Sequence, residues 1–308
     1  MAAAAFAAAV GFTSVASAEN LVFMTGPAGG SWYPLGGAIK NILETEIPGM
    51  NVTIRPGAGL INLKGVSSGK AGMGWSLVMS AVDGVNGKEP FTEKLSDICN
   101  LGSFYNNYMQ VTTTDPSLNS VADLKGKNIV TLPRGNTTEL GVRALLGAAG
   151  LSYDDMAKVN FASISDGVNM MKDGQVQAMF TITSVPNGSL LDLTNSRDIK
   201  FLAITDDQFD KMKAQNAGWG RLTIPANSYP GQAEPVEIAG FPAHLILNCS
   251  TVSEDTAYKI TKALIKRGQE LGGIVKSLST LTAKDMANDI GVPFHPGSIK
   301  AYKEAGAM

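Results

Sequence analysis

The sequence predicts an α/β protein built as two lobes around a cleft, and three observations predict it. The stretch from Asn20 to Ile47 reads as strand, glycine loop and helix in immediate succession. The same order returns between Asn128 and Ala149. The chain has 308 residues, which is long for a single core and suits two lobes of ordinary size.

Residues 1–18, MAAAAFAAAVGFTSVASA, carry no charge and end in Ala16-Ser17-Ala18, a small-residue cleavage pattern followed by Glu19-Asn20. They read as a secretory leader, which places the mature protein in the periplasm. No Lys or Arg precedes Lys40, so the true start of that leader stays open. A net charge of −2 argues against nucleic acid or an anionic membrane as the main partner, and no later apolar run approaches the roughly 20 residues of a membrane span. Cys99 and Cys249 are the only thiols, and the sequence leaves open one disulfide or two buried free thiols.

In the first unit, Leu21-Val22-Phe23-Met24 is a strand and Gly26 to Ser31 a loop. Leu35, Ile39, Ile42 and Leu43 then mark one face of a helix, with Ser31 as its cap and Pro34 in its first turn. An anion there would meet free N–H groups and the positive end of the helix dipole. Asn51 to Arg55 alternates as a half-buried strand, a helix begins at Leu60, and Met73 to Leu77 is a short buried strand that exits at Val82-Asp83-Gly84. Parallel strands of this kind bind ligands beyond their carboxyl ends, so segments 26–33, 57–62 and 75–77 should meet on one rim.

The run from Asp97 to Thr114 is apolar strand, broken at Asp115-Pro116, where the chain first crosses between lobes. Asn128 to Leu132 is the next strand, followed by Pro133-Arg134-Gly135-Asn136-Thr137-Thr138 and a helix from Leu140 to Ala149. Further strands are expected at 158–161, 175–181 and 199–204, with a helix around Val168 to Met171. Periodicity fails from Arg221 to Gly231 and resumes at Val236 to Leu247, the return to the first lobe. The tail is helical from Glu254 to Ile274 and again from Ala283. Lobe 1 is thus expected at 19–113 plus 234–308, and lobe 2 at 114–233.

A catalyst needs a base, a nucleophile or a metal. The chain offers His244 in an apolar strand and His295 before a proline, neither with a metal-spaced partner, and both read as satisfied structural histidines. The first glycine loop lacks Gly-Lys-Ser/Thr, and the second strand ends in Arg55-Pro56 where a dinucleotide site would need an acid. No catalytic residue, metal or cofactor is expected. The loops instead supply hydroxyls, amides, aromatics and one cation, the inventory of a reversible site for a small polar ligand. The candidate ligand-binding residues are Gly30, Ser31, Tyr33, Gly59, Asn62, Trp75, Ser76, Arg134, Asn136, Thr137, Thr138 and Thr183. Among them Arg134, at a helix start, is placed to take a carboxylate bidentately, and Trp75 and Tyr33 to pack on its carbon skeleton.

Gly29-Gly30-Ser31-Trp32-Tyr33-Pro34-Leu35-Gly36, Gly59-Leu60-Ile61-Asn62-Leu63, Ser68-Gly69-Lys70-Ala71, Asp123-Leu124-Lys125-Gly126-Lys127, Asn227-Ser228-Tyr229-Pro230-Gly231-Gln232 and Phe294-His295-Pro296-Gly297-Ser298 occur in order along the chain. Each is weak alone, but together they resemble the TAXI group of solute receptors, the extracytoplasmic binding proteins of tripartite ATP-independent periplasmic (TRAP) transporters. The resemblance implies a two-lobed, type II periplasmic-binding-protein fold with mixed sheets flanked by helices. It implies a receptor that closes on a small organic acid, a glutamate- or glutamine-like amino acid or a dicarboxylate, and delivers it to an integral-membrane TRAP permease; a monomer is expected, though the sequence leaves the oligomeric state open. It places ligand loops at Gly29 to Tyr33, Gly59 to Asn62, Trp75 to Leu77, Arg134 to Thr138 and Thr181 to Pro186. Such receptors tend to carry Phe-Val-Gln-Ser where this chain has Trp75-Ser76-Leu77-Val78, and its Arg134 precedes an Asn-Thr-Thr run, two departures that bear on the ligand. Two alternatives from other classes are a secreted α/β enzyme acting on a small carboxylate and a ligand-sensing receptor for a signalling partner.

Overall fold

The computed structural model describes residues 19–216 and 218–308, so the expected leader lies outside the described residues. The opening unit contains β1 (Glu19–Met24), α1 (Trp32–Glu46), β2 (Met50–Arg55), α2 (Gly59–Ser67) and β3 (Met73–Leu77). Both β2 and β3 pair with β1 in parallel. Leu35, Ile39, Ile42 and Leu43 are the buried stripe of α1, as their spacing requires. All five residues of β3 are buried, the mark of a strand covered on both faces. Helix α3 (Val78–Asn86) then starts without a loop, where the sequence suggests only an exit turn, and stops at Gly87 in the left-handed conformation, φ 67°.

The long strand β4 (Ile98–Thr113) leads to β5 (Asn128–Thr131), α4 (Thr137–Ala148), β6 (Lys158–Phe161), α5 (Ile164–Lys172), β7 (Ala178–Thr183), α6 (Gly188–Thr194), β8 (Lys200–Phe201), α7 (Asp206–Gln215) and β9 (Gly220–Ile224). Then β10 (Val236–Asn248) returns, and α8 (Glu254–Arg267), α9 (Ala283–Met286) and α10 (Pro296–Glu304) complete the chain. The irregular stretch expected from Arg221 begins as β9, whose weak pattern gains order by pairing antiparallel with Val236 to Gly240. The helix expected to reach Ile274 ends at Arg267 and continues as a 3₁₀ turn over Gly268–Gly273.

Neighbouring strands follow the order β2-β1-β3-β10-β4-β7-β5-β6, with β8 on β4 and β9 on β10. Two long strands make this path continuous. The first part of β4 pairs with β10, and its end, from Tyr108, pairs with β7. The start of β10 pairs with β9, and its second half with β3. Along this path β1 to β3 lie on one side of the β10-β4 pair and β5 to β7 on the other, with α8 packed on α1 and α4 on α7. Cys99 on β4 is joined to Cys249, just past β10, with the Cα atoms 5.4 Å apart. This resolves the pairing that sequence separation could not.

Candidate ligand-binding site

The loop after β1 turns through Gly29 at φ +80° and delivers Ser31 to the start of α1. Ser31 occupies the cap position but makes no capping bond. Its hydroxyl instead meets the Tyr105 hydroxyl at 2.8 Å and Thr183 Oγ1, at the end of β7 in the other lobe, at 3.2 Å. The expected cap is thus a cross-cleft contact, because α1 begins where the two lobes touch. Burial pushes the Tyr105 phenol well above its ordinary range, so it acts there as a neutral hydroxyl.

Other bonds close the same seam. Asn187 Nδ2 and Ser189 Oγ both donate to the Gly29 carbonyl, at 3.2 and 3.1 Å. The hydroxyls of Ser80 and Thr137 are 3.0 Å apart, and Asn216 Nδ2 donates to Asp83 Oδ2 at 2.6 Å. Gly59 faces the start of α4 so closely that a Cβ would lie 2.3 Å from Thr137 Oγ1. This is a closed cleft, and glycine lets its walls meet.

Inside the seam lies a cavity of about 30 Å³, room for one or two waters. Gly30, Ser31 and Trp32 line it from one side, Asn136, Thr138 and Thr183 from the other, and Asn107 of β4 from the base. Leu77, Leu132, Ile164 and Ile182 supply apolar walls. No charged side chain lines it. Trp32 Nε1 and Asn107 Nδ2 are buried donors that meet no acceptor in good hydrogen-bond geometry among the described residues, and the acceptor nearest to both is the Tyr105 hydroxyl. Residues at the starts of α1, α4 and α5 line the cavity: Trp32, then Asn136 and Thr138, then Ile164. Asn136 also caps α4, accepting from Thr138 N at 2.9 Å. Neutral hydroxyl and amide donors with no charged side chain beside them suit an acceptor-rich ligand group.

Of the candidates from sequence, the structure brings Gly30, Ser31, Asn136, Thr138 and Thr183 to this cavity. Thr137 and Gly59 meet across the seam beside it. Asn62 is fully buried and donates to the carbonyls of Thr25 and Trp75, both at 2.8 Å, while accepting from Ala58 N. It ties together the three loops expected on one rim. Trp75 is core: it is fully buried, stacks on Trp32 with ring centres 5.9 Å apart and takes the edges of Phe104 and Tyr105. Ser76 is buried in β3, and Tyr33 is half exposed and does not line the cavity. Arg134 does not reach the cavity; it is exposed and sits over the Phe161 ring. Trp32 lies in the ligand loop from Gly29 to Tyr33 that the resemblance implies, although it is not among the single candidates, whereas Asn107, half of an Asn-Asn pair in an apolar strand, is a polar lining residue outside every expected loop.

The histidines stand apart from this site. His295 caps α10, with Nδ1 accepting from Gly297 N at 3.3 Å and Nε2 donating to the Val252 carbonyl at 3.0 Å. His244 is fully buried and only half satisfied: Nδ1 meets Asn100 Oδ1 at 3.1 Å, whereas Nε2 has no partner among the described residues. Among the described residues no group of three His, Cys, Asp or Glu side chains is arranged to hold a metal.

This architecture is the two-lobed, type II periplasmic-binding-protein fold, with the candidate site in its cleft. The profile of the NMT1-like family matches residues 23–306, and the chain belongs to that family. Its fold is similar to that of PhnD1 from Prochlorococcus marinus, solved in complex with methylphosphonate, at 11% identity and TM-score 0.57 over 95% of this chain and 100% of that one. A structure from Bordetella bronchiseptica RB50 aligns at 19% identity and TM-score 0.54, covering 93% of this chain and 82% of that one. An ancestral arginine-binding protein bound to arginine aligns at 16% identity and TM-score 0.50, covering 83% and 96%.

Proposed function

We propose that this protein is an extracytoplasmic solute receptor that closes its lobes on a small organic anion and presents it to a membrane permease. The observation that carries the reading is the closed seam, where polar groups of both lobes, Ser31 and Trp32 on one side and Asn136, Thr138 and Thr183 on the other, surround a cavity without a charged side chain. Membership of the NMT1-like family and the fold of ligand-binding proteins support it. The proposed contacts are Gly30, Ser31, Asn136, Thr138 and Thr183, with Trp32 and Asn107 added. The cavity is far smaller than an amino acid, so a solute enters when the lobes part and is gripped as they return. A glutamate- or glutamine-like amino acid or a dicarboxylate is the solute class proposed. The permease proposed is of the TRAP kind, on the motifs that resemble its TAXI receptors.

The deciding experiment is a thermal-shift screen with small carboxylates, amino acids, sulfonates and phosphonates, followed by calorimetry. A solute at a hundred times its dissociation constant should add about 2.7 kcal/mol of stability. Asn107→Ala should remove most of that gain for the true ligand. A solute that stabilises the protein equally with and without Asn107 would refute this placement of the site. For the partner, sodium-driven rather than ATP-driven uptake in vesicles carrying the permease is the expected result.

A further inference from the structure

Beside this cavity, along the lobe contact, lies a separate groove of about 310 Å³. Leu60, Ile61 and Lys64 of α2 form one wall, and Arg134, Glu139 and Arg143 the other. Its floor is the point where the lobes touch, since a Cβ on Gly135 would lie 3.4 Å from the Ile61 side chain. Closure therefore creates this groove and gathers three cations around a single carboxylate. That carboxylate is already engaged: Glu139 is buried, pairs with Arg143 Nε at 3.1 Å and accepts from the Tyr153 hydroxyl. Neither Lys64 nor Arg134 has a carboxylate within 4.0 Å among the described residues. Each instead sits over an aromatic ring, Lys64 above Phe91 at 5.9 Å and Arg134 above Phe161 at 6.0 Å. The chain as a whole is net negative, so this positive site is a local concentration of charge.

We propose that this groove is a second anion site, for a small multiply charged anion that bridges Lys64 of one lobe and Arg134 of the other and so favours the closed form. Bringing unpaired cations together opposes closure, and a dianion or polyanion between them reverses the sign of that interaction. An anion held by both lobes binds the closed form better than the open one, so it also raises apparent affinity for the cleft solute. The site is independent of which solute the cleft takes.

The probe is pyrophosphate, titrated calorimetrically into the metal-free protein at low ionic strength with no cleft solute present. Lys64→Ala and Arg134→Ala should each weaken binding roughly threefold to fivefold, and the double variant at least about tenfold, with the loss shrinking as salt is added. Both side chains are exposed, so folding should survive, and an unchanged melting temperature without pyrophosphate checks this. Asn107→Ala, in the cleft, should leave pyrophosphate binding intact. Absence of binding overturns the proposal, as does equal affinity in the double variant. Loss of binding in Asn107→Ala would place the anion in the cleft and overturn it too, while leaving the cleft assignment standing.

Discussion

Gly29→Ala tests whether the seam controls closure. In the closed form a Cβ on Gly29 would lie 2.6 Å from Ser165 Oγ, 2.7 Å from Ser165 N and 2.8 Å from Ser189 Oγ. A hydroxyl can rotate away, but the Ser165 amide belongs to α5 and cannot, so the loop must retreat from the other lobe. A normal contact needs about 3.5 Å, and the retreat stretches both hydrogen bonds to the Gly29 carbonyl beyond useful length. At about 1 kcal/mol each, their loss weakens closure by about 2 kcal/mol, or about 30-fold in affinity for a solute that needs the closed form. The φ of +80° adds a strain of about 1 to 2 kcal/mol. That strain acts in open and closed forms alike, so it lowers the melting temperature without changing affinity. Gly37→Ala on α1 is the control: no atom lies within 4 Å of its added Cβ, and alanine in a helix interior should stabilise by up to about 1 kcal/mol. The assays are small-angle scattering with and without solute, and calorimetric titration. A Gly29→Ala protein that contracts like the unmodified one and binds with equal affinity would refute the reasoning.

The other predictions concern the frame that holds the seam. Burial pushes His244 down to about 3, so its neutral form contributes stability above its ordinary value near 6.5, and that contribution is lost as pH falls through the interval between them. The full effect is on the order of 5 kcal/mol, and urea unfolding at pH 7, 5 and 4 should show it as a falling midpoint that His244→Gln flattens. Asp83 is shifted the other way, raised by burial against the opposing pull of Lys88 and the Asn216 hydrogen bond. Its contribution is therefore present below the ordinary value of 3.8 and lost as pH rises through the raised one, so Asp83→Asn should raise stability at pH 7 by less than about 1 kcal/mol. Replacing Cys99 and Cys249 together with alanine opens a loop of 150 residues and should lower unfolding stability by about 2 to 5 kcal/mol, measured in urea.

The repeated strand, glycine loop and helix were legible because period and punctuation are local properties. Leu35, Ile39, Ile42 and Leu43 can face a core in only one way. The helices α6 and α7 were not legible. Their start signals, Asn187 and Thr205, cap by binding amides two or three residues on, but α6 is only seven residues long and α7 is mostly polar, so neither shows a full apolar stripe. Residues at the site were legible in loops and at the ends of elements, as with Ser31, Asn136, Thr138 and Thr183, and illegible in the middle of a strand, as with Asn107. Asn107 differs from its neighbour Asn106 only in the face it presents: one is buried at the cavity and the other exposed. Ser31 shows a further limit, because a hydroxyl at a helix start can cap its own helix or cross to another lobe. For Arg134 the sequence established a cation at the rim, but not which of two adjacent openings its long side chain would serve.

The chemistry of the seam also limits how firmly the lobes can hold. Every side-chain bond found across it, apart from the one to Asp83, joins neutral groups: Ser31 to Thr183, Ser80 to Thr137, and Asn187 and Ser189 to a carbonyl. Bonds of this kind contribute about 0.5 to 1.5 kcal/mol each, and opening offers every one of those groups water in exchange. Four such bonds and the one to Asp83, set against the ordering of the facing side chains, leave closure favoured by a few kcal/mol at most. A ligand with differential affinity for the closed form on that same scale would decide the equilibrium. Strong ion pairs across the seam would have removed that control, trapping the solute or excluding it. Ser80→Ala provides the test, because it deletes a bond that touches no lining residue of the cavity. It should weaken solute binding by about 1 kcal/mol, roughly fivefold, through a faster off-rate, with the on-rate nearly unchanged. An unchanged off-rate would mean that closure does not depend on the seam bonds, and that the solute alone holds the lobes together.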